Sequence, residues 1–419
     1  MKAIIRPKKL SGEVEAISSK SSAHRLLICA ALSDSQVSIS CRGISKDIEA
    51  TCRCLEALGA KTVFDGNKIT VTPIKDTTSD EYVLLDCGES GSTLRFMLPV
   101  TAGLGRKAIF KAEGRLPERP LSPLYELLEE NGCTLSEKGK FPFTLEGKAM
   151  GGDYIIPGNI SSQYITGLLL MLPLTGGGRI TVTGEFESRS YVDMTVYAMR
   201  KSGINVTEKN NVYTVPEEKY SLKDCDAEGD WSNAAFWLSA GAVGNEVTVT
   251  GLNEDSLQGD KAVVEILERF GAKVVRSQNG ITLSPAPMQG IKIDAKNIPD
   301  LVPVLSIVAC GAEGETVIYN AARLRLKESD RLQTTADMIN RLGGQAKETA
   351  DGLIIVGTNG LKGGEISSHN DHRIAMAAAI ASNICSAPVI IDGSEAKNKS
   401  YPAFFEDMKA LGGDLTEEE

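Results

Sequence analysis

The sequence predicts an α/β (α+β) protein of two pseudo-symmetric domains, each assembled from three copies of one supersecondary unit. Three observations support this prediction. Six amphipathic segments end in glycine at nearly equal intervals, a polar helix start recurs earlier in every copy, and β-branched segments follow the helices. A sequence period of about 70 residues indicates one unit used six times.

The repeated glycines mark the end of one helix in each copy. Amphipathic segments such as Leu267-Glu-Arg-Phe-Gly271 contain them, and the successive intervals are 73, 71, 68, 72 and 69 residues. A glycine just past a helix adopts a positive φ without the clash that a Cβ would cause, so we expect each one at a helix C-terminus. The six are Gly59, Gly132, Gly203, Gly271, Gly343 and Gly412.

The second recurring feature is a helix start rich in Ser, Asp and Asn, the residue types preferred as N-caps. An apolar run follows each start, as in Tyr164–Leu172, and a β-branched strand comes next, as in Arg179–Thr183. Each start taken alone is explained by capping. The six starts are residues 19–22, 89–92, 160–163, 230–233, 298–301 and 370–373.

Taken together, the six starts suggest more than capping. Helix N-termini present unpaired N–H groups and a partial positive charge, so six of them directed at one place would bind a strongly anionic ligand. Lys20 stands beside such a cap, where its charge opposes the helix dipole, and a purely structural repeat does not need it. We therefore expect the starts to converge in a crevice between the two domains.

Composition argues against several classes of protein. A net charge of −10 disfavours a general nucleic-acid or membrane-surface binder. The chain lacks both the apolar leader of a signal peptide and an apolar stretch of about eighteen residues. Nine scattered cysteines form no Cys-x-x-Cys, and three histidines offer no zinc spacing. We expect a reduced, metal-free, cytoplasmic protein.

Basic segments supply candidate binding elements. The Gly- and Pro-containing segment 112–120 holds Arg119 just before a proline, and the segment 324–332 holds five charged side chains within seven residues. If the second segment is helical, Lys327 and Arg331 share one face and need an anion between them. A third basic loop lies near the C-terminus. A solvated turn and a solvated charged face are the alternatives.

The motifs at these points resemble the 5-enolpyruvylshikimate-3-phosphate synthase family of enolpyruvyl transferases. The resemblance spans essentially the whole chain, in order and at suitable spacing. Lys-Glu-Ser-Asp-Arg at 327–331 and Pro-Glu-Arg-Pro at 117–120 are its most specific parts. The other matching motifs are Ser19-Lys-Ser with Arg25, Gly-Glu-Ser-Gly-Ser-Thr-Leu-Arg at 88–95, Ser161-Ser-Gln and Asp371-His-Arg.

The resemblance implies a fold as well. Members of the family have two domains, each of three βαβαββ units in an inside-out α/β barrel arrangement, with the active site in the interdomain cleft. Carried over to this chain, one discontinuous domain comprises residues 1–17 and 229–419, and the other comprises residues 18–228.

The resemblance also implies an activity. The enolpyruvyl group of phosphoenolpyruvate would pass to the 5-hydroxyl of shikimate 3-phosphate by addition and elimination, with release of phosphate. This is the shikimate-pathway step toward chorismate and the aromatic amino acids. No cofactor or metal is expected. The expected partners are the two small substrates, without nucleic acid or membrane, and the chain is expected to be a cytoplasmic monomer.

Residue roles follow from the matched motifs. The resemblance makes Asp300 the base for the 5-hydroxyl and assigns the C3 proton to Glu328, together with Lys20. Shikimate 3-phosphate would be bound by Lys20, Ser21, Arg25, Ser161, Ser162, Gln163, Ser188, Tyr191, Asp300 and Lys327. Phosphoenolpyruvate would be bound by Lys20, Gly91, Arg119, Gln163, Arg331, Arg373 and Lys399.

Three positions depart from the family pattern. Glu89 stands where many members carry asparagine, and its charge would repel a bound phosphate unless the side chain turns away or pairs with a cation. Arg323 stands where some members carry asparagine, and Phe96 where many carry proline.

Two other activities compete with this interpretation. The sister enzyme that transfers enolpyruvate to UDP-N-acetylglucosamine uses a cysteine in a flexible loop, and the corresponding segment 113–120 has none. The motif at 327–331 also favours the shikimate acceptor. A ring-shaped DNA clamp likewise repeats α/β units, but it needs basic helices around a pore rather than carboxylates among its cations.

Overall fold

Helices and short strands alternate along the chain in a computed structural model that describes residues 1–75 and 79–418. The predicted α/β class is confirmed. Within the described residues there are twelve α-helices, six of which directly follow the polar starts or, in the fifth case, a 3₁₀ turn formed by the start. They are α1 (Lys20–Leu32), α2 (Lys46–Ala57), α3 (Gly91–Leu104), α4 (Leu124–Glu130), α5 (Ser162–Met171), α6 (Arg189–Lys201), α7 (Trp231–Val243), α8 (Val263–Phe270), α9 (Val302–Cys310), α10 (Arg331–Arg341), α11 (His372–Ala381) and α12 (Phe404–Ala410).

The strands form six four-stranded sheets of one design. In every sheet the first strand is parallel to the second, and the third and fourth are added antiparallel. In order across each sheet, the first three are β14 (Cys225–Asp226), β3 (Val37–Ser40), β5 (Lys68–Thr72) and β4 (Lys61–Asp65); β6 (Val83–Asp86), β7 (Ala108–Lys111), β9 (Phe143–Gly147) and β8 (Cys133–Leu135); and β10 (Gly152–Pro157), β11 (Gly178–Thr183), β13 (Val212–Val215) and β12 (Thr207–Lys209). The other three are β2 (Gly12–Glu15), β15 (Val247–Thr250), β17 (Gly280–Ser284) and β16 (Lys273–Ser277); β18 (Lys292–Asp294), β19 (Glu315–Tyr319), β21 (Leu353–Val356) and β20 (Gln345–Glu348); and β22 (Gly364–Ser367), β23 (Val389–Asp392), β1 (Lys2–Arg6) and β24 (Asp414–Glu418).

One copy of the unit reads β6, α3, β7, α4, β8, β9, which is the βαβαββ order. The helix between β6 and β7 makes the crossover that a parallel pair needs, and the last two strands form an antiparallel hairpin. Three sheets borrow a strand from a distant part of the sequence. β14 completes the first sheet, β2 the fourth and β1 the sixth.

The prediction for the repeated glycines is confirmed. All six have positive φ, from 84° at Gly343 to 119° at Gly271. Gly271 is the C-cap of α8, and the other five stand one residue beyond the C-cap of their helix. The φ of 119° at Gly271 lies where a side chain would be strained, and a Cβ there would also meet the backbone of Pro287.

The described chain divides into two compact units, Met1–Ser19 with Glu228–Glu419 and Lys20–Ala227. They are called the discontinuous unit and the continuous unit here. Each has its own apolar core of mainly aliphatic side chains. The helices that follow polar starts lie inside the cores: every residue of α7, α9 and α11 is buried in the discontinuous unit, as are most residues of α1, α3 and α5 in the continuous unit. Sheets therefore cover helices, which is the inside-out arrangement.

Close helix packing in the continuous unit depends on small residues. α3 and α5 lie so near each other that a Cβ on Gly167 would come within contact of the Arg95 carbonyl and Pro99. Gly103 meets Met171 in the same way. This packing fixes the two helix starts, at Gly91 and Ser162, side by side. Within the described residues, no helix combines the length and the apolar character that a membrane crossing requires.

Candidate active site

Six charged residues, here called the charged cluster, meet at the starts of three helical segments in the discontinuous unit. Asp300 lies in the 3₁₀ turn Pro299–Leu301 that leads into α9, and Arg331 is the first residue of α10. Asp371 is the N-cap of α11, and its carboxylate accepts the backbone N–H of Arg373 at 2.9 Å. The cluster comprises Asp300, Lys327, Glu328, Arg331, Asp371 and Arg373.

Arg331 is the centre of the charged cluster and is 1% exposed. Its Nη1 donates to Asp300 at 2.7 Å and its Nη2 to Glu328 at 2.7 Å. Its Nε and Nη2 both reach the carboxylate of Asp371, at 2.8 and 3.2 Å. Burial acts to lower the pKa of Arg331, but the charges of Asp371, Glu328 and Asp300 raise it above its ordinary value. The guanidinium is therefore charged at every accessible pH.

Asp300 forms ion pairs with two other cations besides Arg331. Lys327 Nζ lies 3.4 Å from its Oδ1 and Arg373 Nη2 3.9 Å from its Oδ2. Burial acts to raise the pKa of Asp300, but the charges of Lys327, Arg331 and Arg373 together hold it well below 3.8. The carboxylate is ionised at neutral pH and, in the protein alone, is a weak base.

The prediction that Lys327 and Arg331 share one helix face is wrong. Lys327 has extended backbone at the end of the 3₁₀ helix Ala322–Leu326, and α10 begins at Arg331 behind the N-cap Asp330. Asp330 accepts the backbone N–H of residue 333, the usual capping contact, so the chain cannot continue as one helix through this segment. The anion between the two cations is Asp300, a group of the protein itself.

Arg373 and Lys399 are both held by backbone oxygens. Arg373 Nη1 donates to the carbonyl of Ser232 at 2.7 Å, and its Nη2 donates to the Ser232 hydroxyl at 2.5 Å. Lys399 Nζ donates to the carbonyl of Asn370 at 2.6 Å. Asn370 has a φ of 55°, a conformation that costs a non-glycine residue free energy. Backbone strain therefore lies directly before the helix that carries Arg373.

Cations and polar groups gather at the starts of α1, α3 and α5 in the continuous unit, and they are called the cation group here. A Cβ on Gly91, the first residue of α3, would lie 2.8 Å from Arg119 Nη1 and 2.9 Å from Arg95 Nη1. Two guanidinium groups thus lie against the end of a helix, where N–H groups have no partner within the helix. This is a ready site for an anion. The group comprises Lys20, Arg25, Gly91, Arg95, Arg119 and Gln163.

Gln163 connects the starts of α3 and α5. Its Oε1 accepts from Arg95 Nη1 at 2.8 Å, its Nε2 donates to Ser92 Oγ at 2.9 Å, and its backbone N–H donates to Ser161 Oγ at 3.2 Å. Arg95 Nη2 also donates to the carbonyl of Pro120 at 3.3 Å, which links the loop of Arg119 to α3. Arg95 belongs to a matched motif, but no role was predicted for it. In the structure it connects α3 to Gln163 and to the loop of Arg119.

Arg25 is 3% exposed and is held by neutral oxygens. Its donors reach Thr195 Oγ1 at 2.8 Å and the carbonyls of Ser21 and Tyr191 at 2.6 and 2.8 Å. Its guanidinium carbon lies 5.1 Å from the centre of the Phe96 ring. Burial lowers the pKa of Arg25 to about 10. The side chain stays charged at neutral pH, and the oxygens around it do not cancel its charge.

Lys20 pairs with Asp47 at 2.7 Å, and both side chains are largely buried. Asp47 lies in the first turn of α2 behind the N-cap Ser45. The sequence analysis missed Asp47, because an acidic residue in a first helical turn is explained by the helix dipole alone. Its fixed place beside Lys20 comes from packing between residues 27 positions apart.

The serines assigned to a substrate phosphate lie at two helix starts. Ser161 is the N-cap of α5 and Ser162 is its first residue. Ser188 precedes α6 and is buried, with left-handed backbone at φ 52° and ψ 40°. Because left-handed backbone costs a serine free energy, the surrounding structure must hold Ser188 in this conformation.

A buried chain of side-chain hydrogen bonds supports the start of α3, and it is called the hydroxyl chain here. His24 Nδ1 lies 2.7 Å from Thr51 Oγ1, which lies 2.7 Å from Thr93 Oγ1, and Thr93 Oγ1 donates to Ser90 Oγ at 2.8 Å. Ser90 is the N-cap of α3. Burial, then the charges of Lys20 and Arg25, holds the pKa of His24 well below 6.5, so the imidazole is neutral.

Two departures from the family pattern have distinct surroundings. The carboxylate of Glu89 packs against Gly114, whose φ is 57°, and a Cβ on that glycine would collide with it. Arg323 Nη2 donates to the carbonyl of Lys296 at 2.9 Å. Glu89 thus faces the loop that carries Arg119.

Asp260, like Asp47, was not predicted from the sequence. Its side chain is 3% exposed, and its surroundings include Asp300, Asp230, Ser232 and Arg373. Burial, then the charge of Asp300, raises the pKa of Asp260 to about 7. Within residues 1–75 and 79–418, no group of three or more His, Cys, Asp and Glu side chains is arranged to hold a metal ion.

Comparison with known proteins matches residues 4–408 to the family EPSP synthase (3-phosphoshikimate 1-carboxyvinyltransferase). A 3-phosphoshikimate 1-carboxyvinyltransferase of Clostridium kluyveri is 43% identical over 99% of this chain and 98% of the relative. One of Clostridium perfringens strain 13 is 43% identical over 100% of both chains. The solved structure of EPSP synthase from Acinetobacter baumannii superposes with a TM-score of 0.82 at 26% identity, covering 99% of this chain and 100% of that one. The chain belongs to the EPSP synthase family.

Proposed function

We propose that the protein transfers the enolpyruvyl group of phosphoenolpyruvate to the 5-hydroxyl of shikimate 3-phosphate and releases phosphate. Full-length relatives at 43% identity carry the name of this activity. The observation that carries the proposal is the charged cluster, in which the ionised Asp300 lies among Lys327, Arg331 and Arg373. Such a site offers both a proton acceptor and cations for anionic substrates.

Asp300 acts as the base for the 5-hydroxyl once substrate is bound. Its low pKa in the protein alone makes it a poor proton acceptor, because three cations stabilise the ionised form. The substrates bring two phosphates and two carboxylates, which compete for the same cations and add negative charge. Both effects raise the pKa of Asp300 in the complex, so its basicity rises when there is a hydroxyl to deprotonate.

Glu328, together with Lys20, moves the C3 proton. The reaction adds a proton to C3 while the hydroxyl oxygen bonds to C2, and then removes a C3 proton as phosphate leaves. Glu328 accepts from Arg331 at 2.7 Å, which fixes the direction of its carboxylate. Arg331 and Arg373 hold the carboxylate of phosphoenolpyruvate, and each is already oriented by the contacts described above.

The continuous unit supplies most of the anion binding. The N–H of Gly91 with Lys20, Arg119 and Gln163 holds the phosphate of phosphoenolpyruvate, and Lys399 adds a further cation. Shikimate 3-phosphate binds through its carboxylate to Arg25 and through its phosphate to Ser161, Ser162 and Ser188. Ser21, Gln163, Tyr191 and Lys327 complete its contacts. The two domains proposed for the enzyme are residues 1–17 with 229–419 and residues 18–228, and these boundaries lie within two residues of those of the two compact units.

We also propose that the protein works as a monomer in the cytoplasm and binds no nucleic acid. The net charge of −10 disfavours phosphate backbones. Nine cysteines are free thiols, which suits a reducing compartment. The molar mass measured by light scattering tests whether the protein is a monomer. A mass equal to two chains would contradict this proposal.

Phosphate release tests the proposed activity directly. Protein with phosphoenolpyruvate and shikimate 3-phosphate is compared with protein given phosphoenolpyruvate and UDP-N-acetylglucosamine. We expect release with the first acceptor only. Release with the sugar nucleotide alone would assign the sister activity, and release with neither acceptor would overturn the proposal.

A further inference from the structure

Asp260 occupies a fixed place against the start of α7. It lies in the 3₁₀ turn Gly259–Ala262, directly after Gln258. Gln258 Oε1 accepts the backbone N–H of Trp231 at 3.1 Å, and its Nε2 donates to the carbonyl of Gly229 at 2.8 Å. The turn is therefore tied to both sides of the α7 N-cap.

One oxygen of Asp260 has an unusual environment. Oδ1 is buried and has no hydrogen-bond partner among the described residues. A buried carboxylate oxygen without a donor destabilises the ionised form, because burial removes water and nothing replaces it. Asp260 is outside the set of residues assigned to substrate binding or proton transfer, so this feature has no explanation in the mechanism above.

The charges that face Asp260 come from every segment packed around it. Asp300 precedes α9, Asp230 caps α7, and Arg373 comes from the first turn of α11. Burial has the largest effect and raises the pKa of Asp260, the two carboxylates raise it further, and Arg373 and the Ser232 hydroxyl lower it. The resulting pKa is about 7, so the charge of the group changes near neutral pH.

Ser232 joins Asp260 to the proposed substrate clamp. Its hydroxyl lies beside the Asp260 side chain and acts to lower the pKa of that carboxyl. The same hydroxyl accepts from Arg373 Nη2 at 2.5 Å, and the Ser232 carbonyl accepts from Arg373 Nη1 at 2.7 Å. The Arg373 guanidinium is thus oriented by a serine that lies beside Asp260.

We propose that Asp260 is a positioning residue that orients Arg373 through Ser232, and that its ionisation sets how strongly Arg373 attracts the carboxylate of phosphoenolpyruvate. This inference rests on the proposed function. A neutral Asp260 leaves the Arg373 charge available to the substrate. An ionised Asp260 cancels part of that charge, so substrate binding weakens as the pH rises above about 7.

The kinetic test compares Asp260→Asn with the wild type from pH 6 to pH 9. Asparagine has the shape of the neutral acid and cannot ionise. We expect the KM for phosphoenolpyruvate of the wild type to exceed that of the variant by about three- to tenfold at pH 8.5, with the ratio falling toward one at pH 6. Ionisation of the substrate phosphate affects both proteins equally and cancels in the ratio.

Two further variants separate positioning from general damage. Ser232→Ala removes the link, so we expect a raised KM for phosphoenolpyruvate at every pH with a smaller change in the KM for shikimate 3-phosphate. Asp255→Asn removes an exposed carboxylate from the same loop and should match the wild type. A KM ratio for Asp260→Asn that stays constant with pH would overturn the proposal, as would equal changes in both KM values.

A measurement without substrate distinguishes this inference from the proposed function. Carbon-13 NMR of aspartate carboxyl groups follows their ionisation in the free wild-type protein. We expect one carboxyl signal to titrate near pH 7, and that signal should be missing from Asp260→Asn. If it is present while phosphate release fails, the proposed function is wrong and the titration stands. Titration of every carboxyl below pH 5 would overturn the inference even in an active enzyme.

Discussion

Arg331 in the discontinuous unit and Arg25 in the continuous unit are held in opposite ways. Arg331 in the discontinuous unit is bonded to three carboxylates, of Asp300, Glu328 and Asp371. Arg25 in the continuous unit is bonded to hydroxyl and carbonyl oxygens. A carboxylate cancels the charge of the cation that it orients, whereas a neutral oxygen orients the cation and leaves its charge available.

Under the proposed function, this difference suits Arg331 and Arg25 to different tasks. Compensated cations keep Asp300 and Glu328 oriented, which suits proton transfer. In the cation group, Arg25 keeps its positive charge for an incoming anion, and the start of α3 adds its N–H groups. Variants of Asp300 and Glu328 should therefore change turnover, and variants of the cation group should change substrate binding.

The largest effect is expected for Asp300→Asn. The variant keeps the volume of the side chain but cannot accept the hydroxyl proton, so kcat should fall by about 10²- to 10⁴-fold. Binding of shikimate 3-phosphate, measured by calorimetry, should change much less. Glu265→Gln, an exposed change on α8, is the control. Turnover near the wild-type value would contradict the role of Asp300 as base.

Arg119→Ala tests the cation group. A charge-assisted contact contributes about 1.5–3 kcal/mol, so the KM for phosphoenolpyruvate should rise by about 10- to 150-fold with a smaller change in kcat. Arg115→Ala is a matched control in the same loop, because Arg115 pairs only loosely with Glu118 at the surface, at 3.5 Å. If Arg119→Ala and Arg115→Ala change the KM equally, the effect belongs to the loop in general and not to a phosphate contact of Arg119.

A smaller effect is expected when the hydroxyl chain is broken. Thr51→Val keeps the shape of the side chain but removes the hydroxyl between His24 and Thr93. One lost hydrogen bond is worth about 1 kcal/mol, so the KM for phosphoenolpyruvate should rise by about fivefold while kcat stays close to the wild-type value. Thr51→Ser should restore binding. Failure of serine to rescue would mean that packing, rather than the hydroxyl, is what matters.

The smallest effect concerns stability. Asp260 has a pKa of about 7 in the folded protein against 3.8 ordinarily, so the folded state binds its proton more tightly than the unfolded state. Stability from this group is therefore present below pH 3.8 and is lost as the pH rises toward 7. Asp260→Asn should melt at a higher temperature than the wild type at pH 8, and the difference should shrink at pH 5. Calorimetry at both values measures it, and an equal difference at the two pH values would contradict the linkage.

Local signals in the sequence predicted much of the fold. A glycine after an amphipathic run, such as Gly271, and an N-cap such as Asp230 each depend on a few neighbouring residues, so their meaning is readable without tertiary structure. The prediction of a shared helix face for segment 327–331 was wrong. The charge pattern has helical spacing, but Asp330 is a capping residue, and it stops a helix from continuing through the segment.

Partners distant in sequence could not be predicted in this way. Asp47 matters because it lies 2.7 Å from Lys20, and Thr51 because it lies between His24 and Thr93. Each of these residues has an ordinary local explanation, in a helix dipole or an amphipathic face. Asp260 is similar, since its importance comes from burial beside Ser232 and Arg373.

The borrowed strands impose an order on folding during synthesis. β1 pairs with β23 and β24, and β2 pairs with β15, so residues near the start of the chain must wait for partners made much later. Lys20–Ala227 is contiguous and can reach its native state while the ribosome is still adding the remainder. Until then, β1 and β2 lack the partners that they have in the folded protein, and their strand edges are open to pairing with other chains.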